Sequence, residues 1–383
     1  MKSSMQLTLS IEDIKKIQLH FIVSTGRTGS TLLSAMFNMH KNLLSPVEEP
    51  FAFNLYFKYH DLKEWTSQKI DEYCYDFYLF SEGVLEQQFG TKKDLKDALE
   101  QYKSELDFYT TIKISYLCFF PERDKTNITT IIDKQLKFHD FIEKVAVFFP
   151  DSKFIILNRD PRDNSLVKMK RIIREKSKGF FQDQNKSNYW TLGLIWNRVY
   201  SLIYEKRKKI GEHRFLELKY EDLVANPEKE LSRVADFTGF EFDPIMLQYH
   251  VQTKEKIEQA NEMQDIKKQM FYLLHKSLTE KTNTDKVGFW KDNLSKNDAN
   301  IIWNVCAQQA MKIGYKSESC DGKATRDKHY YRAYLNVAIQ NILIPKIYYG
   351  LPFFIRYAIK KRKYGNKFKQ NRYTSDKFKE TTS

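Results

Sequence analysis

The chain has 383 residues, 42% hydrophobic and 29% charged, enough apolar material for one large domain with additions or two small ones, which excludes wholesale disorder. Its four cysteines, Cys74, Cys118, Cys306 and Cys320, lie far apart with no CxxC pair; this argues against a disulfide scaffold or a cysteine-rich zinc site and for a reducing, cytoplasmic setting. The net charge of +14 suggests a nucleic-acid partner until it is divided: residues 321–383 hold 15 Lys/Arg against 4 Asp/Glu, and the preceding 320 residues hold 48 against 45. The body is nearly neutral, so no nucleic-acid partner is expected.

Residues 1–18 read as a polar leader without a signal-peptide pattern, and no uninterrupted apolar run reaches the 18 or so residues of a spanning helix. Residues 19–23 are an apolar run of strand length, followed by a glycine-containing turn and a helical stretch over 32–37; strand, turn and helix open a βα unit. Residues 51–127, aromatic and mixed in charge, interrupt this rhythm and read as helical insertions that shape an acceptor site, with ordinary aromatic packing as the alternative. A second βα unit begins with a strand over 128–133 and continues into a helix over 138–149 that Pro150 stops. Residues 153–157 and 214–218 are two more strands, the latter leading into Tyr220-Glu221-Asp222-Leu223 and a helix opened by Asn226-Pro227-Glu228. Short apolar strands alternating with helices predict an α/β fold with a mostly parallel sheet covered on both faces. The catalytic domain is expected over 19–315 and a basic aromatic tail over 316–383.

Two loops carry the chemistry. Gly26-Arg27-Thr28-Gly29-Ser30-Thr31 lies between strand and helix, where backbone N–H groups converge on an anion. Its glycines permit close approach, its hydroxyls add donors, and Arg27 adds a cation. The loop is shorter than GxxxxGK[ST] and no lysine follows Gly29, which disfavours a magnesium-dependent kinase or nucleotidase. Arg159-Asp160-Pro161-Arg162-Asp163 follows the 153–157 strand, and open parallel sheets bind ligands beyond such strand ends. Its alternative is a helix-capping turn with Asp163 as N-cap and the arginines solvated.

Taken in order, these segments resemble the sulfotransferases that use 3′-phosphoadenosine-5′-phosphosulfate (PAPS), particularly the branch with bacterial members and tyrosylprotein enzymes. Gly26 to Leu33 is similar to the 5′-phosphosulfate loop, and Phe149-Pro150-Asp151-Ser152-Lys153-Phe154-Ile155 running into Arg159 is similar to the 3′-phosphate strand and loop. Tyr220 to Glu228 with Phe237-Thr238-Gly239-Phe240 resembles the later βα segment, and Lys286-Val287-Gly288-Phe289-Trp290-Lys291 the late loop that closes over the cofactor. The ordered set covers about 20–315. The resemblance implies a P-loop-like fold and PAPS as co-substrate without a metal. It also implies cofactor contacts from Gly26, Arg27, Thr28, Gly29, Ser30, Thr31, Arg159, Tyr220, Lys286 and Gly288. The family's serine eight residues after the arginine is Val167 here, and Ser165, Lys168 or Lys286 would take its place.

Sulfuryl transfer asks for alignment of two oxygens, a base for the acceptor hydroxyl, and cations where charge develops. Glu48-Glu49-Pro50 resembles the branch's glutamate pair, which makes Glu49 the base; neighbouring carboxylates also raise one another's pKa. A surface acidic turn is the plainer reading. Lys134, after the second strand, matches a lysine aimed at the reacting group, and with Arg27 it would stabilise the transferred sulfuryl. Its plainer reading is an ion pair with Asp133 or Asp163. His40 reads as structural.

Lipid, sterol and carbohydrate hydroxyls all stay open as acceptors. A catalytically degenerate binding protein also stays open, kept alive by Val167. In the tail, apolar runs broken at Pro345 and Pro352 end in Lys360-Lys361-Arg362-Lys363. This pattern suits peripheral contact with an anionic inner membrane surface, or a helix packed on the core with a solvated basic end.

Overall fold

The computed structural model describes residues 7–46, 51–81, 89–134, 138–177, 188–262, 278–318, 320, 322 and 324–367. The chain divides into two compact units, one of residues 18–45 and 130–344, the other of 1–17, 46–129 and 345–383.

The larger unit is built on five strands, β1 (Gln18–Val23), β2 (Leu43–Leu44), β3 (Thr130–Lys134), β4 (Phe154–Asn158) and β5 (Phe215–Lys219). Their order is β2-β3-β1-β4-β5, and every pairing is parallel. Val23, Ile132, Ile155 and Leu218 are all fully buried, as a sheet covered by helices on both faces requires. This is the expected α/β fold. Three of the predicted strands are displaced by one or two residues, because periodicity locates apolar runs better than their ends. Strand β2 was not expected, since two leucines at a sheet edge carry no periodic signal. The helix expected over 138–149 is split into a 3₁₀ turn, Phe138–Asp140, and a helix, Ile142–Phe148.

After β1 the chain crosses outward to β2 and returns through β3 beside β1; after β4 it crosses the other way, to β5. β1 and β4 are therefore the adjacent strands at which the winding reverses, and their carboxyl ends form the crevice where open α/β sheets bind ligands. Register aligns the exits, with Val23 opposite Ile156 and Asn158 opposite Lys219. Arg159 and Tyr220, each one residue further, thus leave the sheet side by side.

In the other unit, residues 51–117 form the helices Phe51–Tyr59, Ser67–Phe80, Lys92–Gln101 and Phe108–Leu117. Thr66, Thr91 and Asp107 cap the last three through their side-chain oxygens, each satisfying an N–H that the helix leaves unpaired. The aromatics pack on one another; Phe51 lies 4.6 Å from Phe77 and 4.7 Å from Tyr116, centroid to centroid. Fully buried Asp76 accepts from Lys58 Nζ at 2.6 Å, Tyr59 Oη at 2.7 Å and Tyr357 Oη at 2.8 Å.

In the tail, Pro345, where an apolar run breaks, does not interrupt the helix. Residues Ala338–Leu343 open into a wide π turn and Ile344–Gly350 continues as α-helix. The wider turn relieves the clash of the proline ring with the carbonyl four residues earlier. The break falls at Pro352, before Phe353–Lys367. Among the described residues no single helix is long and apolar enough to cross a membrane, and one bent pair, Lys328–Gly350 with Phe353–Lys363, passes by length and composition.

Candidate active site

The first loop is shaped by three consecutive demands. Gly26, Arg27 and Gly29 all have positive φ, 76°, 60° and 89°, so the chain coils on itself before the helix Ser30–Met39 begins. Buried Ser24 braces the coil, its Oγ accepting from Gly26 N at 3.2 Å and Thr28 Oγ1 at 3.0 Å. Asn164 braces it from the neighbouring loop, donating to the Gly26 carbonyl at 2.8 Å. The helix then presents its first N–H groups, which have no carbonyl partners inside the helix and carry the positive end of its dipole. Thr28, expected as a hydroxyl donor, gives its hydroxyl proton to Ser24. Arg27 is half-buried, as is Thr31, and Thr31 Oγ1 accepts from Lys134 Nζ at 3.3 Å. Lys134, at the last position of β3, is thereby tied to the loop.

Arg159 sits at the centre of the second loop and is 3% exposed. Its Nη1 donates to the Arg27 carbonyl at 3.2 Å and its Nη2 to the Lys286 carbonyl at 2.9 Å. The guanidinium lies 4.1 Å from the Tyr220 ring centroid, a stacked cation–π arrangement. The same ring faces Gly29, where an added Cβ would stand 2.6 Å from Tyr220 Cδ2. Gly29, Tyr220 and Arg159 thus form one column drawn from the exits of β1, β5 and β4. Arg159 Nε has no hydrogen-bond partner, and neither does Ser165 Oγ, although both atoms are buried. Buried polar atoms are nearly always paired, so these two unpaired donors on one strand-loop-helix segment stand out. Val167 is half-buried on the same helix. Lys286 meets Arg159 through its carbonyl, while its side chain is exposed.

Arg162 and Asp163 have other tasks. The helix Pro161–Ser177 is capped by Asp160, whose Oδ1 accepts from Arg162 N at 2.8 Å. Arg162 is 1% exposed, pairs with Asp160 through Nε at 3.0 Å and Nη2 at 2.7 Å, and lies between the rings of Trp290 and Trp303 at 4.0 and 4.7 Å. It also donates to the carbonyls of Lys316 and Ser317. The capping alternative is therefore corrected: the cap is Asp160, and neither arginine is solvated. Asp163, one turn inside the helix, accepts from Gly288 N and Trp290 N, both at 2.8 Å, which clamps the late loop. Burial pushes its carboxyl up to about 6. Glu221, also raised by burial, accepts from Asp160 N at 2.9 Å and Tyr315 Oη at 3.0 Å. Apart from the local Asp160–Arg162 pair, these supports span 61 to 155 residues of sequence and leave no local pattern; the hint was the polar run Asp163-Asn164 directly after Arg162.

The structure thus brings Gly26–Thr31, Lys134, Arg159, Tyr220 and Gly288 to one end of the sheet. Glu48 and Glu49 lie outside the described residues. His40, buried, accepts from Asn42 N and meets the Glu241 carbonyl at 3.0 Å, a structural role. Among the described residues no three His, Cys, Asp or Glu side chains gather as metal ligands.

The parallel sheet with its loops gathered at a winding reversal defines an open α/β fold. The family model for the sulfotransferase family matches residues 20–244, more than half the chain. The chain belongs to that family. Protein-tyrosine sulfotransferase A of Caenorhabditis elegans is 26% identical over 127 residues, 32% of this chain and 31% of that one, so the match spans under a third of the relative's length. Two of the similar solved structures are sulfotransferase domains. The sulfotransferase domain from the Synechococcus PCC 7002 olefin synthase is 19% identical, covering 79% of this chain and 96% of that one, with a TM-score of 0.46. The sulfotransferase domain from the curacin biosynthetic pathway is 21% identical, covering 61% and 77%, with a TM-score of 0.39.

Proposed function

We propose that this protein transfers a sulfuryl group from PAPS to an acceptor hydroxyl. The observation that carries the reading is Arg159: buried, held on two loop carbonyls and the Tyr220 face, with Nε unpaired. A guanidinium so fixed is preorganised for a phosphate, which offers acceptors where the protein supplies none. PAPS, when bound, supplies the activated sulfuryl group and departs as adenosine 3′,5′-bisphosphate.

In this reading Arg159 and Ser165 bind the 3′-phosphate, and the N–H groups of the 26–31 loop hold the 5′-phosphosulfate with Arg27. Tyr220 keeps Arg159 in plane. Lys134, held toward the loop by Thr31, stabilises negative charge on the oxygens of the transferred group. Glu49 takes the acceptor's proton. Asp163 holds the late loop so that Lys286 and Gly288 close the site against water.

Calorimetry with adenosine 3′,5′-bisphosphate in EDTA tests the donor. Wild type should bind without metal, and Arg159→Ala should lose roughly a hundredfold, the order expected when a charge-assisted pair is removed from a buried site. Absence of binding by the wild type would overturn the reading. Glu49→Ala should keep that affinity and lower turnover with PAPS and a panel of hydroxyl acceptors by about 10²–10⁴-fold, the usual contribution of a general base.

A further inference from the structure

Nine of the fifteen large hydrophobic side chains exposed among the described residues lie between Tyr331 and Ile359. Scattered surface hydrophobics are ordinary; a concentration of this kind is not. In the helix Lys328–Val337 one face is spent on packing, with Ala333 and Val337 buried and the Tyr330 ring 5.0 Å from Trp190. The opposite face shows Tyr331, Tyr334 and Leu335 to solvent, the i, i+3, i+4 spacing of a helix stripe. Ile342, Leu343 and Ile344 follow, exposed in succession, and then Ile347.

The next helix repeats the division. Arg356 and Lys360 are buried, Arg356 stacking on Phe57 at 4.6 Å and Lys360 over Phe80 at 5.7 Å, while Tyr357 donates to Asp76. The other face carries Phe354, 71% exposed, and Ile359, followed by exposed Lys361, Arg362 and Lys363. This helix packs through one face and leaves apolar side chains on the other uncovered.

Charge says what covers that face. From Lys328 to Lys363 there are eight Lys/Arg and no Asp/Glu. A protein partner of mixed surface charge would meet no acidic complement here, and a second copy would bring the same cations against themselves. We propose that residues 346–363 seat on an anionic lipid surface, with Ile347, Phe354 and Ile359 in the acyl boundary and Lys346, Lys361, Arg362 and Lys363 among the headgroups. Apolar insertion and basic attraction act together at such interfaces, and neither alone holds a protein firmly.

The test is flotation of the full chain with vesicles of phosphatidylcholine alone or with about 30% phosphatidylglycerol. Wild type should float with the anionic vesicles and far less with the neutral ones, and high salt should release it. Reversing the three exposed cations (Lys361→Glu, Arg362→Glu, Lys363→Glu) should lower partitioning on the order of a hundredfold or more, at about fivefold per basic residue. Phe354→Ser, at a largely exposed position, should lower it severalfold with the salt dependence kept. Adenosine 3′,5′-bisphosphate affinity should be unchanged in both variants, which separates this result from that of the catalytic reading. Equal, weak flotation with both vesicles overturns the proposal. So does binding that falls on charge reversal but ignores Phe354→Ser, since any polyanion would then serve. A doubled mass in sedimentation that Phe354→Ser returns to monomer also overturns it, making this a self-association face.

Discussion

Asp76 and Arg159 are both buried charges, in different compact units, and their surroundings differ in kind. Asp76 has three donors, Lys58, Tyr59 and Tyr357, on its two oxygens; Lys58 is further neutralised by Glu72 at 2.6 Å. Nothing is left over. Arg159 is held by two carbonyls and a ring face, all uncharged, and keeps an unpaired Nε. A buried charge that finds full internal complement is architecture. One that is positioned by neutral groups keeps its charge available for something that arrives later. Burial alone does not separate the two; what separates them is whether the hydrogen-bond capacity is used up.

Substitution should therefore have opposite consequences at the two places. Arg159→Ala should remove roughly two orders of magnitude of adenosine 3′,5′-bisphosphate affinity and change the unligated stability by about 1 kcal/mol or less, because loop carbonyls near a crevice can turn to water. Asp76→Ala should leave that affinity intact and cost about 3 kcal/mol of stability, since Lys58, Tyr59 and Tyr357 lose a shared buried acceptor. Chemical denaturation and calorimetry on the two variants side by side measure both quantities. The reverse pattern would break the distinction.

A smaller effect sharpens it at Asp163, a buried carboxylate between the two extremes, with two backbone donors and the Arg159 charge nearby. Its carboxyl sits at about 6, above the ordinary value of about 3.9. The folded state thus holds this proton more tightly than the unfolded chain. The resulting stabilisation is full below about pH 4 and is lost as pH rises through 6. Asp163→Asn does not titrate, so the wild-type stability relative to the variant should fall by about 2 kcal/mol between pH 4 and 7. Melting curves across that range check it; parallel curves would place Asp163 with the fully compensated charges.

What the amino-acid order reveals follows from where the information lies. The runs at 19–23, 153–157 and 214–218 and the turn with Gly26 and Gly29 are local, and each lies within one or two residues of its observed place. Arg159 was legible because it follows a buried strand. The column it joins was not, since Gly29 and Tyr220 meet only once β1, β4 and β5 are laid side by side. The burial of Arg162 was not legible, because an arginine after Asp-Pro carries no sign of the two tryptophans, 128 and 141 positions on, whose rings it meets. Pro345 breaks an apolar run without breaking the helix, since sequence patterns do not foresee a π turn that absorbs its ring.

The column of Gly29, Tyr220 and Arg159 also governs how this site can be inherited. A side chain at 29 would need a smaller residue at 220, and a smaller residue at 220 would take away the face on which Arg159 rests. No one of the three positions can drift by itself. Descendants of this chain should keep all three residues together or replace them together, so the trio would serve as a marker of lineage in a sequence whose helical insertions are free to diverge.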